Sequence, residues 1–198
     1  MHEKLGKRVF DIIVSFSGLL VLSPLLLFIA CLIKLRMPGP VLFCQKRAGR
    51  KGIPFRMYKF RTMTLNHSGS TVTVRGESRI TPIGAILRKH KLDELPELWN
   101  VLRGDMSFVG PRPDMPEYAE RLAGEERFIL NLRPGITGPA TIKYAKEEEM
   151  LASVEDPERY NDEILWPDKV RLNLSYYYNR SFIKDLQIIL RTIFPGDS

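Results

Sequence analysis

The longest apolar stretch of the chain lies close to its N-terminus. Residues 12–33 contain no Asp, Glu, Lys, Arg, His, Asn or Gln. A straight helix of that length would measure about 33 Å, enough to cross the hydrocarbon core of a bilayer. Ser23 and Pro24 interrupt the stretch near its middle, where proline removes a backbone hydrogen bond and serine can satisfy the carbonyl that is freed. The pattern therefore predicts two half-helices with a break at Ser23 and Pro24.

Basic residues flank this stretch on both sides. Three cations, Lys7 and Arg8 among them, precede it, and six follow between residues 34 and 51. Positively charged flanks tend to stay on the cytoplasmic side of a membrane, so residues 1–36 are expected to form a re-entrant membrane hairpin. An ordinary kinked spanning helix is the alternative that this pattern leaves open. Asp11 is expected to pair with Lys7 or Arg8, one helical turn earlier.

Downstream, residues 37–198 have the pattern of a small mixed α/β domain that is mainly helical. Apolar positions at 41–45 and 55–62 predict two short strands, and Gly49 and Gly52 between them predict a β-hairpin. The hairpin interleaves cations with aromatic residues, which would suit either nucleic acid or anionic lipid headgroups. Because a membrane segment lies just upstream, the lipid surface is the preferred interpretation.

Helical periodicity predicts further helices in this domain. One begins at Thr81, a cap residue that is followed by proline. A second is expected to run from Asp93 to Gly104. The apolar positions within 182–193 predict an amphipathic helix that would pack in the core or lie in the membrane interface. The polar segment 66–75 is expected to be a mobile loop.

Charge is distributed unevenly along the chain. The 198 residues include 30 Lys or Arg and 23 Asp or Glu, a formal net charge of +7. Residues 1–62 hold 12 basic and 2 acidic side chains, whereas residues 63–198 hold 18 and 21. The positive charge thus surrounds the membrane segment and the hairpin, where a lipid or a phosphorylated substrate would meet it. The acidic segments 147–149 and 155–158 are expected to form a solvated face.

Candidate chemistry is concentrated in residues 88–94, where Arg, Lys, His and Lys precede Asp93 and Glu94. Nearby positive charge keeps a carboxylate ionised and nucleophilic, and it also attracts phosphate. At a helix N-terminus, Asp93 would lie beside free backbone N–H groups that bind anions. Mg²⁺ between the carboxylate and a pyrophosphate would reduce their repulsion. The simpler alternative is an N-cap aspartate followed by a glutamate that suits the helix dipole.

Two arginine-containing turns follow this segment. Arg112 lies between two prolines, which favour extended backbone and would suit a preorganised phosphate-binding fork. Arg133 precedes a second tight turn. The alternative for both is a rigid loop with an arginine that faces solvent, and neither turn decides the function by itself.

Several short motifs occur together along the chain. They are Lys7-Arg8 with Asp11, Ser23-Pro24, residues 58–63 (YKFRTM), residues 92–98 (LDELPEL), residues 104–113 (GDMSFVGPRP) and residues 133–138 (RPGITG). This set resembles the small monotopic phosphoglycosyl transferases, the bacterial sugar-phosphate transferases that begin the assembly of surface glycans and glycoproteins. The resemblance extends from residue 4 to about residue 194 and is most specific between residues 92 and 113.

The resemblance implies a two-step reaction at the cytoplasmic face of the bacterial inner membrane. Asp93 matches the family's nucleophile, which would attack the sugar-linked phosphate of a UDP-sugar and release UMP. A polyprenol phosphate such as undecaprenyl phosphate would then take the phosphosugar from the aspartate. Glu94 matches the second member of the catalytic dyad, and Mg²⁺ would bridge Asp93 and the pyrophosphate.

The resemblance also assigns cations and partners. Lys59, Arg88 and Arg112 match residues that bind the substrate phosphates, and Lys7 and Arg8 match contacts to lipid headgroups. The expected partners are the UDP-sugar, the polyprenol phosphate, the phospholipid bilayer and downstream glycosyltransferases, but not nucleic acid. Two other classes remain as alternatives at this point: a non-catalytic membrane adaptor that binds anionic lipid, and a nucleic-acid binder with a membrane tether.

The nucleotide site departs from the family pattern. Many members follow a Thr-Gly pair with Ala-Gln-Val-x-Gly-Arg, whose arginine is associated with nucleotide binding. This chain reads PATIKYAK after Gly138, with no arginine at the matching place. Arg133, Thr137 and Lys143 are therefore the candidate nucleotide contacts, with Lys146 as an alternative to Lys143. The sugar that is transferred is not encoded in any motif that we can read.

Overall fold

The computed structural model describes residues 5–65 and 79–194. This part of the chain is a mixed α/β structure that is mainly helical, as predicted. Its strands form two separate sheets of two strands each. The predicted loop at 66–75 lies outside the described residues. The helices are α1 (Leu5–Val21), α2 (Ser23–Arg36), α3 (Pro82–Lys89), α4 (Glu97–Arg103), α5 (Pro116–Arg121), α6 (Pro139–Lys143), α7 (Glu147–Ala152), α8 (Pro157–Tyr160), α9 (Trp166–Asn179) and α10 (Phe182–Ile193), and the strands are β1 (Leu42–Ala48), β2 (Pro54–Phe60), β3 (Ser107–Val109) and β4 (Gly135–Thr137).

The N-terminal apolar stretch forms two helices with a sharp bend between them. Helices α1 and α2 meet at 60°, which confirms the predicted break. Pro24 has no N–H to donate to the carbonyl of Leu20, and the Ser23 hydroxyl donates to that carbonyl at 2.8 Å instead. Among the described residues, no single helix combines the length and hydropathy needed to cross a bilayer, whereas the bent pair together meets both criteria.

Helix α1 contacts the rest of the molecule through a polar inner face. Asp11 and Ser15 are buried against α4 and β3, while most apolar side chains of α1 are exposed. The expected ion pair of Asp11 with a preceding cation is wrong. Its Oδ1 atom accepts the backbone N–H of Phe108 at 3.2 Å, while Lys7 forms an ion pair with Asp185 at 2.8 Å. The reason is that α1 lies against β3 and α10, which supply partners from distant parts of the chain.

Helix α2 ends inside the body of the protein. Ile29, Ile33 and Met37 are buried in one cluster with Phe60 of β2 and Leu87 of α3. Just beyond the helix, the buried guanidinium of Arg61 donates to the carbonyls of residues 37 and 38 at 2.7 and 2.8 Å. The second half of the bent pair is therefore fixed to the same body that α1 contacts.

The predicted β-hairpin is confirmed. Strands β1 and β2 pair antiparallel from Leu42 opposite Phe60 to Ala48 opposite Pro54. The connection is a short 3₁₀ segment, Arg50–Gly52, in which Lys51 has a positive φ of 62°. The first strand extends three residues beyond its predicted end at position 45. Its cationic residues also pair with β2 and so continue the ladder of backbone hydrogen bonds between the two strands. Cross-strand pairing, which alternation alone does not reveal, sets the length of the strand.

A second, parallel strand pair was not predicted. Ser107 and Val109 of β3 pair with Gly135 and Thr137 of β4. The backbones approach closely at the glycines: a Cβ atom on Gly110 would lie 2.2 Å from the carbonyl oxygen of Arg133. This pairing places the two arginine-containing turns side by side, which their separation in the sequence does not show.

The C-terminal part of the chain consists of α9 and α10. The predicted amphipathic helix is confirmed as α10, capped by the Ser181 hydroxyl, which accepts the N–H of Lys184 at 3.2 Å. Ile183, Leu190 and Ile193 expose more than half of their surface. Asp185 on the opposite face is buried. Location of the apolar face in a membrane interface stays a prediction.

Candidate active site

Asp93 and Glu94 lie in a tight turn rather than at the start of a long helix. They belong to a single 3₁₀ turn, Leu92–Glu94, and α4 begins only at Glu97. The predicted helix from residue 93 is therefore wrong at its beginning, although its end at Gly104 is confirmed by a left-handed cap with φ 93°. The physical cause is local: Lys91 has a left-handed φ of 54°, and Pro96 has no N–H with which to extend an α-helix backwards.

The Asp93 carboxylate is buried and incompletely paired. The residue is 7% exposed, and its Oδ1 atom accepts no hydrogen bond from residues 5–65 or 79–194. Burial and the charge of Glu94 raise the pKa of Asp93. The predicted influence of cations is present, because Lys59, Arg88 and Lys91 lower that pKa, but burial and Glu94 outweigh it. The result is a poorly solvated carboxylate oxygen beside positive charge.

Glu94 holds two of the predicted phosphate-binding cations. Its Oε1 atom accepts from Lys59 Nζ at 2.7 Å and from Arg112 Nη2 at 3.1 Å. Burial would raise the pKa of Glu94, but Arg112 and Lys59 hold it well below its usual range. Glu94 is therefore ionised and orients both cations. The Arg112 side chain is 41% exposed, so part of it remains open to a ligand.

Glu97 and Arg47 are parts of this site that the sequence reasoning missed. Glu97 Oε1 lies 3.2 Å from Lys59 Nζ, so Lys59 is shared between two carboxylates. Burial and Glu94 raise the pKa of Glu97 to about 7, and Lys59 and Arg112 oppose the shift. Burial and the neighbouring Arg112 lower the pKa of Arg47. The i, i+3 spacing of Glu94 and Glu97 was the available signal, since residues so spaced can share a helix face.

Part of this site lines a small cavity of about 230 Å³, a volume that includes its opening to solvent. Three cations line it together with Glu97, so the cavity combines a positive wall with one carboxyl group that titrates near neutral pH. Such a wall stabilises the negative charge of a bound phosphate. The lining residues are Arg47, Met57, Lys59, Glu97, Arg112 and Pro113.

Arg88 has a protein partner. Its guanidinium forms an ion pair with Glu148 of α7, while its charge acts on Asp93. Glu147, on the same helix, accepts from Lys169 at 2.6 Å. The expected solvated face is therefore wrong at 147 and 148, because α7 lies against basic residues of α3 and α9. A contact of Arg88 with the substrate phosphate stays a prediction.

The candidate nucleotide contacts each bind another element of the protein. Arg133 Nε donates to the carbonyl of Gly104 at 2.7 Å. The Thr137 and Thr192 hydroxyls are 2.6 Å apart and join β4 to α10. Lys143 forms an ion pair with Asp168 at 2.6 Å. Their assignment to the nucleotide stays a prediction.

Lys7 and Arg8 also have protein partners. Arg8 donates to the carbonyls of Val101 and Leu102 at 2.7 and 2.9 Å and so satisfies the C-terminal end of α4. Lys7 donates to the carbonyl of Val109 at 2.7 Å. These contacts connect the base of α1 to the body, and the contact of either residue with a lipid headgroup stays a prediction.

Together these observations define a cation-lined pocket close to the turn that carries the buried carboxylate of Asp93. A family model of bacterial sugar transferases matches residues 2–195. The chain belongs to this family of enzymes, which confirms the resemblance inferred from the motifs.

Individual relatives carry more specific names. A UDP-glucose:undecaprenyl-phosphate glucose-1-phosphate transferase of Caulobacter vibrioides is 39% identical over 96% of this chain and 68% of its own length. The exopolysaccharide production protein PSS of Rhizobium leguminosarum bv. phaseoli is 40% identical over 94% of this chain and 92% of its own length. A UDP-N-acetylgalactosamine-undecaprenyl-phosphate N-acetylgalactosaminephosphotransferase of Aeromonas hydrophila is 35% identical over 96% of this chain, which spans 44% of that relative.

Proposed function

We propose that this protein transfers a sugar 1-phosphate from a UDP-sugar to a polyprenol phosphate, such as undecaprenyl phosphate, at the cytoplasmic face of the bacterial inner membrane. The observation that carries the proposal is the buried Oδ1 atom of Asp93, which has no partner among the described residues and feels the charges of Lys59, Arg88 and Lys91. The names of the relatives support the donor and acceptor classes. A non-catalytic lipid-binding adaptor is the alternative, and it would not require several cations gathered at a buried carboxylate.

The reaction proceeds in two displacements on one phosphorus atom. An Asp93 oxygen attacks the sugar-linked phosphorus, the bond to the bridging oxygen breaks, and UMP leaves with that electron pair. The acceptor phosphate then attacks the same phosphorus, and the Asp93 carboxylate leaves. Polyprenol diphosphate sugar is the product, and the enzyme is restored. Covalent catalysis thus divides one difficult exchange between anions into two steps at a shared cationic site.

The surrounding residues stabilise the charge of both displacements. Arg112 is partly exposed and presents a planar fork that suits phosphate oxygens. Lys59 and Arg47 add positive charge in the adjoining cavity. Glu94 orients Lys59 and Arg112 before substrate arrives, so little reorganisation is needed during the reaction.

The residues at Asp93 also fit a magnesium ion that is shared with substrate. Among the described residues, no group of three or more His, Cys, Asp or Glu side chains could hold a metal ion. Mg²⁺ is usually bound by one or two carboxylates together with substrate phosphates, and Asp93 Oδ1 is a carboxylate oxygen with no partner in this part of the chain. When bound, the ion would neutralise charge on the pyrophosphate.

A re-entrant N-terminal hairpin is part of the proposal, with residues 1–36 in the membrane and residues 37–198 on its surface. Arg8 contacts α4 near the beginning of the bent pair, and Met37 is buried in the body just after its end. Both ends therefore contact one body, whereas a spanning helix would separate its ends by about 30 Å of hydrocarbon. Exposed apolar side chains around the bend, such as Leu20, Val21 and Phe28, supply the surface that lipid would cover.

The reaction is tested by UMP release from a panel of UDP-sugars with undecaprenyl phosphate, using the full chain in detergent. We expect Mg²⁺-dependent release by the wild type and a loss of about three orders of magnitude or more in Asp93→Asn. Asp156→Asn, an exposed position that keeps its helix cap, is the matched control and should remain active. Full activity of Asp93→Asn would contradict the nucleophile assignment, and no release with any UDP-sugar would favour the adaptor.

Topology is tested separately with single cysteines in sealed inverted vesicles. Cys31 and Cys44 are both exposed and are first replaced by serine. Leu5→Cys and Leu35→Cys, at exposed positions on either side of the bend, should then both react with a maleimide that cannot cross the membrane. Reaction at one end alone would identify a spanning helix and overturn the hairpin.

A further inference from the structure

A second cavity lies beside the reaction centre and takes part in no step described above. Its space measures about 470 Å³ including the part that is open to solvent, about twice that of the cavity at Lys59 and Glu97. Arg112 lines both this cavity and the smaller one at Lys59 and Glu97. A substrate whose phosphates are held by Arg112 therefore has a second space into which its remaining part can extend.

The walls of this cavity are mainly apolar and aromatic. Leu122, Ile129 and Val170 form one buried cluster against which Trp166 packs. The ring centroids of Trp166 and Tyr118 are 5.6 Å apart. Few polar side chains complete the lining. They include Arg112, Asp114, Tyr118 and Asn173. Apolar walls with a small number of polar groups are the usual composition of a site for a flat organic ligand.

Asn173 is a buried polar group of this cavity whose amide oxygen lacks a partner among the described residues. It lies on α9 and is 6% exposed. Its Oδ1 atom accepts no hydrogen bond in the part of the chain that the structure describes. A buried amide oxygen without a donor costs free energy and is rare in native proteins. A ligand that presents an N–H group at this point would remove that cost.

The chemistry of the lining selects among the parts of a nucleoside diphosphate sugar. A hexose carries several hydroxyl groups, most of which would be left without partners against Leu122 and Ile129. A uracil ring buries two apolar faces and presents one polar edge, in which an N–H lies between two carbonyl groups. The side-chain amide of Asn173 has an oxygen that accepts hydrogen bonds and an NH₂ group that donates them. It can therefore accept that N–H and donate to an adjacent carbonyl of the ring.

We propose that this cavity binds the uracil base of the donor substrate, with the Asn173 amide paired to the imide edge of the ring. The inference rests on the proposed transferase function. It places the diphosphate at Arg112, between the base and Asp93. Lys143, one of the other candidates for the nucleotide, is paired with Asp168.

This pairing is tested by comparing the affinities of two ligands for the wild type and for a variant at position 173. UMP and N3-methyl-UMP, which lacks the imide N–H, are titrated by calorimetry into the full-length wild type and Asn173→Leu. In the wild type, methylation should weaken binding about 10-fold, the value of one hydrogen bond to a buried group. In Asn173→Leu, UMP should bind about 10-fold more weakly, and methylation should have no further effect. Asn179→Leu, at an exposed position of the same helix, should behave as the wild type.

A second variant at the same position controls for the case in which Asn173→Leu fails to fold. Asn173→Asp keeps the volume of the side chain and an oxygen that can accept the imide N–H, so methylation should still weaken UMP binding in this variant, in contrast to Asn173→Leu. If methylation weakens binding equally in the wild type and Asn173→Leu, or in neither, the uracil subsite is overturned. A bound water would then be the partner of the Asn173 amide. If UDP-sugars are still turned over in that case, the subsite fails alone. If UMP neither binds nor is released, the transferase function itself fails.

Discussion

Two buried charged clusters in this molecule differ in how completely their charges are paired. At the base of α1, the cluster of Lys7, Tyr176 and Asp185 is closed: Lys7 contacts Asp185 at 2.8 Å and Tyr176 at 3.1 Å, and the Tyr176 hydroxyl donates to Asp185 at 2.5 Å. At the candidate active site, Glu94 Oε1 accepts from both Lys59 and Arg112, but Asp93 Oδ1 has no partner among the described residues.

We interpret this difference as one between charged groups that stabilise the fold and charged groups that take part in the proposed reaction. A closed cluster stabilises one arrangement of α1, α9 and α10, and breaking it leaves a buried charge uncompensated. An open cluster is retained at a cost in stability, and such groups occur where a ligand or a reaction completes the pairing. The Lys7 cluster therefore holds α1 on the body, whereas the Asp93 cluster leaves one carboxylate oxygen available, as the proposed reaction requires.

The largest expected effect on stability comes from opening the closed cluster. Asp185→Asn leaves the Lys7 ammonium without its carboxylate, and we expect a loss of about 3 kcal/mol in the free energy of unfolding. Asp93→Asn removes a poorly solvated charge, so its stability should equal or exceed that of the wild type. Chemical denaturation of the full chain in one detergent measures both.

The matched control for Asp185→Asn is an exposed ion pair. Glu163→Gln disrupts the pair with Arg159, whose side chains are 59% and 71% exposed, and it should cost less than about 0.5 kcal/mol. A comparable loss in Asp93→Asn and Asp185→Asn would erase the distinction between the two clusters. A loss in Asp185→Asn no larger than in the control would show that the α1 cluster is not structural.

A smaller effect is expected from Glu97, and it depends on pH. The pKa of Glu97 is raised from 4.5 to about 7, chiefly by burial. Between these two values the folded state holds a proton that the unfolded state has lost, so the free energy of unfolding should fall as pH rises through this window. We expect a decrease on the order of 2 kcal/mol in the wild type relative to Glu97→Gln.

Thermal unfolding at pH 4.5, 6 and 8 measures this dependence. Glu120→Gln, at an exposed position of α5, is the control and should retain the wild-type slope. Identical slopes for the wild type and Glu97→Gln would contradict the raised pKa and remove Glu97 from the account of the site.

Local patterns predicted the elements that depend on neighbours in the chain. The break at Pro24, the hairpin, the cap at Thr81 and the helix end at Gly104 each follow from one or two residues with strong backbone preferences. The turn at Asp93 was mispredicted because a left-handed lysine at position 91 leaves no signal in hydrophobic periodicity.

Contacts between distant segments were not predictable from those patterns. The β3–β4 pair joins strands of three residues that are separated by 25 residues, too short for alternation to reveal. Glu97 joins the site only because β2 brings Lys59 beside α4. Likewise, Lys7 and Arg8 meet partners on α10 and α4 rather than Asp11. Such pairings depend on the tertiary structure, which single-sequence motifs do not encode.

A covalent intermediate on Asp93, the proposed reason for its unpaired oxygen, can be detected directly by mass. The full chain is incubated with Mg²⁺ and the UDP-sugar that is turned over, without polyprenol phosphate, and its intact mass is measured. We predict a mass increase equal to one phosphosugar, located on Asp93 by peptide mapping, absent from Asp93→Asn and lost on addition of polyprenol phosphate. An active wild type that never shows the adduct, or that carries it on another residue, would contradict the account.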